Sequence, residues 1–295
     1  MIAAKWKSSG ECHEEIEEVW EFRLPIGDLV SRGDEIRLLI FSSVFVVMVV
    51  WEVLARRRET SAFRVQRWST NFAMLVLGIV SIRVVLPMTL IQLAGWIGNR
   101  EWGAVAVLDL PFMVGVAVSV IALDFCLYGQ HLLMHRVSWL WRLHQVHHAD
   151  PEFDVTTGLR FHPCEIVVST LYKAMAVVVL GPPALAVLIF EIALNSSSMF
   201  THANGRLSQR LDWLVRWLFV TPDMHRIHHS VEVGEFNTNF GFNLAVWDRL
   251  FGTYRQEAAL ECAQIEIGLR LQPGRASSLG SALRIPFEKR TLSSS

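Results

Sequence analysis

Apolar stretches long enough to cross a membrane recur along this chain of 295 residues. Three of them, Ile36 to Ala55, Phe72 to Trp96 and Val105 to Tyr128, have the roughly 20 residues that a helix needs to span a bilayer core. A fourth, Ile166 to Leu194, is interrupted by Gly181-Pro182-Pro183, and each half has only about 15 residues, so it is predicted to be a helical hairpin that turns near the far face. The pattern predicts an all-α membrane protein with about four transmembrane helices, one of them this broken hairpin.

The polar segments divide the chain into four parts. Residues 1–35 form an acidic arm, 36–104 hold the first membrane helices and a basic loop, 105–255 hold most of the histidines, and 256–295 are a soluble tail without a span. The basic loop follows the first span and is predicted to be cytoplasmic by the positive-inside rule. Its arginines are Arg56, Arg57, Arg58, Arg64 and Arg67.

Three histidine clusters carry the chemistry. They are His131-x3-His135, His144-x2-His147-His148 and His225-x2-His228-His229. Residues three and four apart share one face of a helix, so each cluster presents its imidazoles together, and imidazole is a common ligand of transition metals. Eight ligands are too many for one ion. The spacing therefore predicts a site for two metals on helices near the ends of membrane spans.

Overall composition narrows the class of protein. Hydrophobic residues make up 52% of the chain and charged residues 19%, and the net charge is −1. The mean hydropathy of +0.34 is high for a soluble protein of this length. The near-zero net charge gives no support for nucleic-acid binding. The four cysteines are scattered and form no CxxC pair, which argues against a disulfide framework or a zinc ribbon.

Carboxylates near the clusters are candidates for orienting the imidazole rings, because a metal-bound histidine needs an acceptor for its other ring N–H. Asp124 lies two helical turns before His131 on the same face. It and Asp223 are the two carboxylates predicted to act in catalysis. Asp150 and Glu165 are further candidates for the same orienting role.

The motifs resemble those of the fatty acid hydroxylase and sterol desaturase superfamily, whose members are membrane histidine-box di-iron oxygenases. The similarity lies in H-L-L-M-H, H-Q-V-H-H and H-R-I-H-H, and in D-F-C-L-Y-G-Q-H, R-F-H-P, T-H-A-N and N-F-G-F-N-L-A-V-W-D-R-L-F-G-T-Y, between about residues 105 and 255. The resemblance implies two irons bound by the eight cluster histidines. His202 looks similar to a further ligand of some members, and His162 is a weaker candidate. Ser198 stands where certain members have a histidine.

The same resemblance implies the reaction. The protein is expected to hydroxylate or desaturate a C–H bond of a sterol-like or fatty-acyl lipid with O2, the lipid entering from the bilayer. The chain has no Gly-rich dinucleotide fingerprint, so electrons are expected from an external reductase or ferredoxin. The compact chain looks most like the sterol desaturase-like branch, with its histidines on the cytoplasmic side, and a bacterial inner membrane is the expected location.

Three other interpretations of the histidine clusters remain open. A metal transporter would hold its ligands near the middle of its spans, whereas these clusters lie beyond span ends. A zinc-dependent membrane hydrolase would need three ligands and an open position, not eight histidines. A membrane scaffold would bind no metal. The metal content of the purified protein would distinguish these three interpretations from an oxygenase.

Overall fold

A bundle of long helices forms the body of the protein. The computed structural model describes residues 26–59, 64–261, 264–269 and 276–288. The predicted acidic arm therefore lies largely outside the described residues. Within the described ranges the chain is helical and contains no strand, only isolated bridges such as the one between Arg56 and Gly205. The all-α prediction is confirmed.

Five helical stretches are long and apolar enough to cross a membrane by length and composition. They are α1 (Gly33–Leu54), α2 (Arg64–Val85) continued by α3 (Leu90–Gly98), α5 (Phe112–Arg136), α7 (Pro163–Leu180) and α8 (Ala184–His202). The two halves of the predicted hairpin are 18 and 19 residues long, so each is itself a candidate span by length and composition.

Prolines set two of the helix ends. Pro87 separates α2 from α3, which begins after the capping residue Thr89, because proline lacks a backbone N–H and clashes with the preceding turn. Pro111 precedes α5, and the four-residue helix α4 (Ala104–Val107) stands apart from it. The predicted third span therefore begins too early, and its helix continues through His131 and His135.

The turn between α7 and α8 requires glycine. Gly181 ends α7 with a φ of 60°, and its N–H donates to the Val177 carbonyl at 2.9 Å. A Cβ atom on Gly181 would lie 2.0 Å from the Trp102 carbonyl oxygen. Both the left-handed backbone and the close approach exclude a side chain here. The tight turn sets α7 and α8 antiparallel.

One end of the bundle gathers the helix termini that carry polar side chains. It holds the last turns of α1, α5 and α8 and the first turns of α2 and α7. Helices α6 (Ser138–His148) and α10 (Pro222–His228) lie in the connections at this end. Glu52, in the last turn of α1, accepts the N–H groups of Val155 and Asn204, both at 2.7 Å. The bundle end is thereby bonded to the connecting segments.

The remaining segments pack around this end. Helix α9 (Gln209–Val215) is short, and its Trp213 and the following Trp217 are exposed. Short helices α11 (Val233–Phe236), α12 (Val246–Leu250) and α13 (Leu279–Arg284) follow. Residues 276–288 of the predicted tail pack on the bundle end, where Ala282 and Ile285 join a core with Met74 and Val146.

Arg67 is a structural residue of the interior. It was expected in the basic loop, but it lies in the first turn of α2 and is only 2% exposed. Its guanidinium pairs with Asp150 at 2.8 Å and with Asp154. Asn71, one turn further along, donates to the same Asp150 at 3.1 Å. These bonds attach α2 to the segment that follows α6.

Replacing Arg67 with methionine should strongly destabilise the protein. The Arg67→Met variant leaves two buried carboxylates without their cation, which costs about 3–5 kcal/mol. Unfolding in detergent measures the loss. The matched control is Arg32→Met, which breaks an exposed pair with Glu35 and should cost at most about 1 kcal/mol. Equal losses in the two variants would contradict the structural role of Arg67.

Candidate metal centre

Nine histidines converge at the polar end of the bundle in two adjacent groups. Within each group, one ring nitrogen from each histidine lies within 4.8 Å of the corresponding nitrogens of all the others. The first group is His131, His135, His144, His148 and His228, and the second is His147, His202, His225 and His229. All are buried except His135, which is half-buried. Each group draws on different helices, so the folded bundle is what assembles them.

The second group points Nε2 atoms at one another. His202 Nε2 lies 3.1 Å from that of His147, 3.0 Å from that of His225 and 3.2 Å from that of His229. The Nδ1 atoms of His147 and His202 face the carbonyl oxygens of Arg160 at 3.2 Å and Ser198 at 2.7 Å. A carbonyl only accepts, so Nδ1 carries the proton in both rings, and their facing Nε2 atoms carry lone pairs.

The first group is oriented in the same way. The Nδ1 atoms of His131 and His228 each lie 2.8 Å from a carbonyl oxygen, of Phe240 and Thr238 respectively. His144 Nδ1 lies 2.6 Å from a Glu165 carboxylate oxygen. Several ring nitrogens on the inner side are buried without a partner among the described residues, namely Nε2 of His144, His148 and His228 and both nitrogens of His135.

This arrangement fits metal ions between the rings. Facing lone pairs repel unless an electrophile lies between them, and the buried unpartnered nitrogens would otherwise be costly. Two nitrogens about 2.1 Å from one ion and at right angles lie about 3 Å apart, which matches the spacing around His202. Nitrogen-only donor sets suit iron, copper, zinc or nickel. The two groups can hold one ion each.

Aromatic rings enclose the two groups. Phe161 stacks on His147 with ring centroids 4.4 Å apart, and Phe153 lies 5.5 Å from the ring of His202. Phe240 lies 5.1 Å from the ring of His135 on the other side. Phe240 belongs to the aromatic segment after the third cluster, which thus packs on the site. These rings exclude water from the inner nitrogens.

Of the remaining predicted site residues, some lie in the histidine groups and others lie outside them. His202 lies within the second group, whereas His162 lies in neither: it caps α7, where its Nδ1 accepts the Cys164 N–H at 3.1 Å. Ser198 donates its hydroxyl to Gly158, and its carbonyl orients His202. Glu165 has the orienting role expected of it.

Three of the predicted carboxylates bond elsewhere. Asp124 was expected to accept a histidine N–H, but its oxygens accept instead from Asn243 Nδ2 and Trp247 Nε1, both at 2.7 Å. Asp223 was given a catalytic role, yet its carboxylate pairs with Arg57 at 3.1 Å and with Arg226. Asp150 pairs with Arg67. These residues hold the scaffold together, because their charges are matched by cations or amide and indole donors.

Backbone carbonyls are the orienting groups that sequence reasoning missed. Four histidines use one, and no side-chain motif marks which carbonyl it is. Arg160 is the clearest example: its carbonyl faces His147, and its buried side chain donates to the carbonyls of Val146 and Ala276 and to the Asn71 amide oxygen. The R-F-H-P motif contained this residue.

Comparison with known proteins places this segment in a family. Residues 116–253 match the model of the fatty acid hydroxylase family. This segment is a fatty acid hydroxylase domain. It contains all nine histidines of the two groups, so the domain and the candidate metal centre coincide.

Relatives of this hydroxylase domain act on different lipids. The chain is 29% identical to ornithine lipid hydroxylase OlsE of Rhizobium tropici over 61% of its own length and 52% of that protein. It is 26% identical to alkylglycerol monooxygenase of Homo sapiens (47% of this chain, 30% of that protein) and 27% identical to cholesterol 25-hydroxylase of Rattus norvegicus (48% and 46%). The chain thus spans about half or less of the length of these relatives. No solved structure gives a significant match.

A cavity in the hydroxylase domain leads from the membrane helices to the histidines. Its volume is about 210 Å³, and side chains of α2, α5, α7 and α8 line it. His131 and His144 lie at one end, and the wall is otherwise mostly apolar, with residues such as Leu127 and Ile166. An apolar molecule in the bilayer could therefore reach the first histidine group from between the helices.

Burial keeps five histidines on or beside α6 and α10 neutral. It lowers the pKa of each well below its ordinary value, and in His228 to about 3. The others are His147, His148, His225 and His229. Neutral imidazole is the form that binds a metal.

The metal-free domain should therefore lose stability as the pH falls below about 6.5. There the unfolded chain binds protons on these histidines and the folded chain does not, so the free energy of unfolding decreases by up to about 1.4 kcal/mol per histidine per pH unit. Above about pH 6.5 it should be nearly constant, because the rings are neutral in both states. Thermal unfolding from about pH 5 to 8 measures the slope, which His147→Gln should make shallower. A flat profile in the metal-free protein would contradict this account.

Proposed function

We propose that this chain is an integral-membrane monooxygenase that inserts an oxygen atom from O2 into a C–H bond of a lipid. It would use two irons held by the nine histidines and electrons from a separate reductase or ferredoxin. The observation that carries the proposal is the cavity, since it connects the membrane helices directly to the first histidine group. When bound, the irons would supply the oxidising power that an unactivated C–H bond demands.

The residues of the chain would orient the histidine rings, position the lipid and exclude water. Nδ1 acceptors hold five of the nine rings with their Nε2 atoms inward, and Glu165 is the acceptor that orients His144. The apolar walls place a hydrocarbon segment beside His131 and His144. The names of the relatives favour hydroxylation over desaturation, because they are hydroxylases and monooxygenases.

Electrons would enter from the side opposite to the lipid. A second, wider depression of about 670 Å³ opens beside His135 and is lined by Arg136, Trp141 and Arg142. The Trp141 ring lies 4.9 Å from the His135 ring. We assign this face to the cytoplasm of a bacterial inner membrane, which agrees with the arginines at the same end of the bundle.

The proposal is tested with purified, iron-loaded protein in lipid nanodiscs. Cholesterol, an alkylglycerol and an ornithine lipid are incubated separately with ¹⁸O2, a ferredoxin, its reductase and NADPH. The expected product is one of these lipids carrying a single ¹⁸O hydroxyl group. Oxygen derived from labelled water, or a product of bond hydrolysis, would contradict a monooxygenase and favour a hydrolase.

Two histidine variants make the test specific. His147→Ala removes a proposed ligand and should abolish the labelled product. His162→Ala changes a buried histidine outside both groups and should keep most of the activity. Glu165→Gln, which weakens the orientation of His144, should lower activity about 10- to 100-fold. Equal effects of His147→Ala and His162→Ala would argue against the assignment of the ligands.

A further inference from the structure

Two stripes of polar side chains run into the membrane bundle from the metal centre. On α7, Glu165, Ser169 and Lys173 are spaced four residues apart and share one face. On α8, the spacing of three and four residues aligns His202, Ser198, Asn195 and Glu191 in the same way. The rest of both helices is mostly apolar, so the stripes are an exception to the membrane pattern.

The two stripes line the cavity. Glu165, Ser169 and Lys173 contribute to its wall from α7, and Asn195 and Ser198 from α8. At a rise of about 1.5 Å per residue, Lys173 lies about 12 Å along α7 from Glu165. Lys173 therefore lies at the deep end of the cavity, and the Glu165–His144 contact lies at the metal end.

Polar groups of this cavity lack partners within the described part of the chain. No hydrogen bond is made there by the side chains of Ser169, Lys173 or Asn195, and Gln130 Oε1 is buried without a partner. Such groups are costly in a bilayer and commonly mark a ligand or ion path. A polar group on a bound molecule would satisfy them.

The charge at the deep end favours an oxygen atom. Lys173 is the one lysine among the described residues, and Glu191, the carboxylate that acts on it electrostatically, is already paired with Arg37 at 2.9 Å. Lys173 is thus left with hydrogen-bond donors to offer into the cavity. Ser169, one turn away, can both donate and accept.

We propose that Lys173, Ser169 and Asn195 form a binding site for a terminal oxygen of the lipid substrate, a hydroxyl or carbonyl group at the end opposite to the oxidised carbon. The inference rests on the proposed function and names its substrate class: an elongated lipid anchored by one small oxygen group. The single cation of the cavity does not suit a phosphate headgroup, which is typically bound by several cations. Because Lys173 and Glu165 lie two turns apart on α7, the anchored oxygen and the oxidised carbon are expected to be on the order of 10 Å apart.

The test compares two pairs of lipids that differ in one oxygen, 1-hexadecanol with hexadecane and cholesterol with 5α-cholestane. Binding of each radiolabelled lipid to metal-free protein in detergent is measured for the wild type and for Lys173→Met. In at least one pair, we expect the wild type to bind the alcohol about 10-fold or more tightly than the hydrocarbon, because one hydrogen bond to a charged donor contributes about 1.5–3 kcal/mol. Lys173→Met should lose that preference and leave hydrocarbon binding unchanged.

Two further variants keep the test decisive. Met175→Ala alters an exposed residue of the same helix and should leave the preference intact. Lys173→Gln retains a donor of similar length and should keep part of it, and it replaces Lys173→Met if that variant fails to fold. No preference in the wild type, or an equal loss of alcohol and hydrocarbon binding in Lys173→Met, would overturn the site.

This measurement is independent of the reaction. Binding by metal-free protein requires neither iron nor an electron donor. The binding result can therefore be interpreted even if the proposed oxygenase activity is not found. Conversely, a wild type that hydroxylates a lipid but shows no preference for the terminal oxygen would retain the proposed function and remove the Lys173 site. With iron loaded, Lys173→Met should also broaden the position of hydroxylation along the chain.

Discussion

The structure depends on holding nine imidazoles together at one end of the bundle, in two groups whose ring nitrogens face one another. Each ring whose inner nitrogen binds a metal must place its other N–H on an acceptor outside the centre. In this chain, backbone carbonyls supply that acceptor for four rings, and three of the four carbonyls lie in irregular segments. The site therefore cannot be built from the helices alone. The connections after α6 and α10 are part of the centre, since they fix the rings that the helices carry.

Buried ionic and amide contacts hold those connections in place. The side chain of Arg160 bonds to α2, to the end of α6 and to the C-terminal segment, while its carbonyl orients His147. Arg67 attaches the first turn of α2 to Asp150 and Asp154. Glu52 attaches the last turn of α1 to Asn204, two residues after His202. The N-terminal membrane helices thus support a centre to which they contribute no histidine.

The sequence alone predicted the features that depend on the spacing of nearby residues. The three clusters share helix faces because of their periodicity, and all eight histidines fall in the two groups together with His202. The helix of the third predicted span begins later than expected, after Pro111. The catalytic roles predicted for Asp124 and Asp223 stay predictions. Their partners, Trp247 and Arg57 among them, were not evident from the sequence, because these come from distant segments. The polar residues through Lys173 follow helical spacing in the sequence, but only the structure shows that this stripe lines a cavity.

Metal content of the purified protein tests the central claim most directly. The protein, produced with iron in excess, is analysed by elemental analysis and X-ray absorption. The account predicts about two ions per chain, one for each histidine group, with nitrogen ligands at about 2.1 Å. Protein that takes up no metal after reconstitution with iron, or that binds it through sulfur, would contradict the assignment of the two histidine groups.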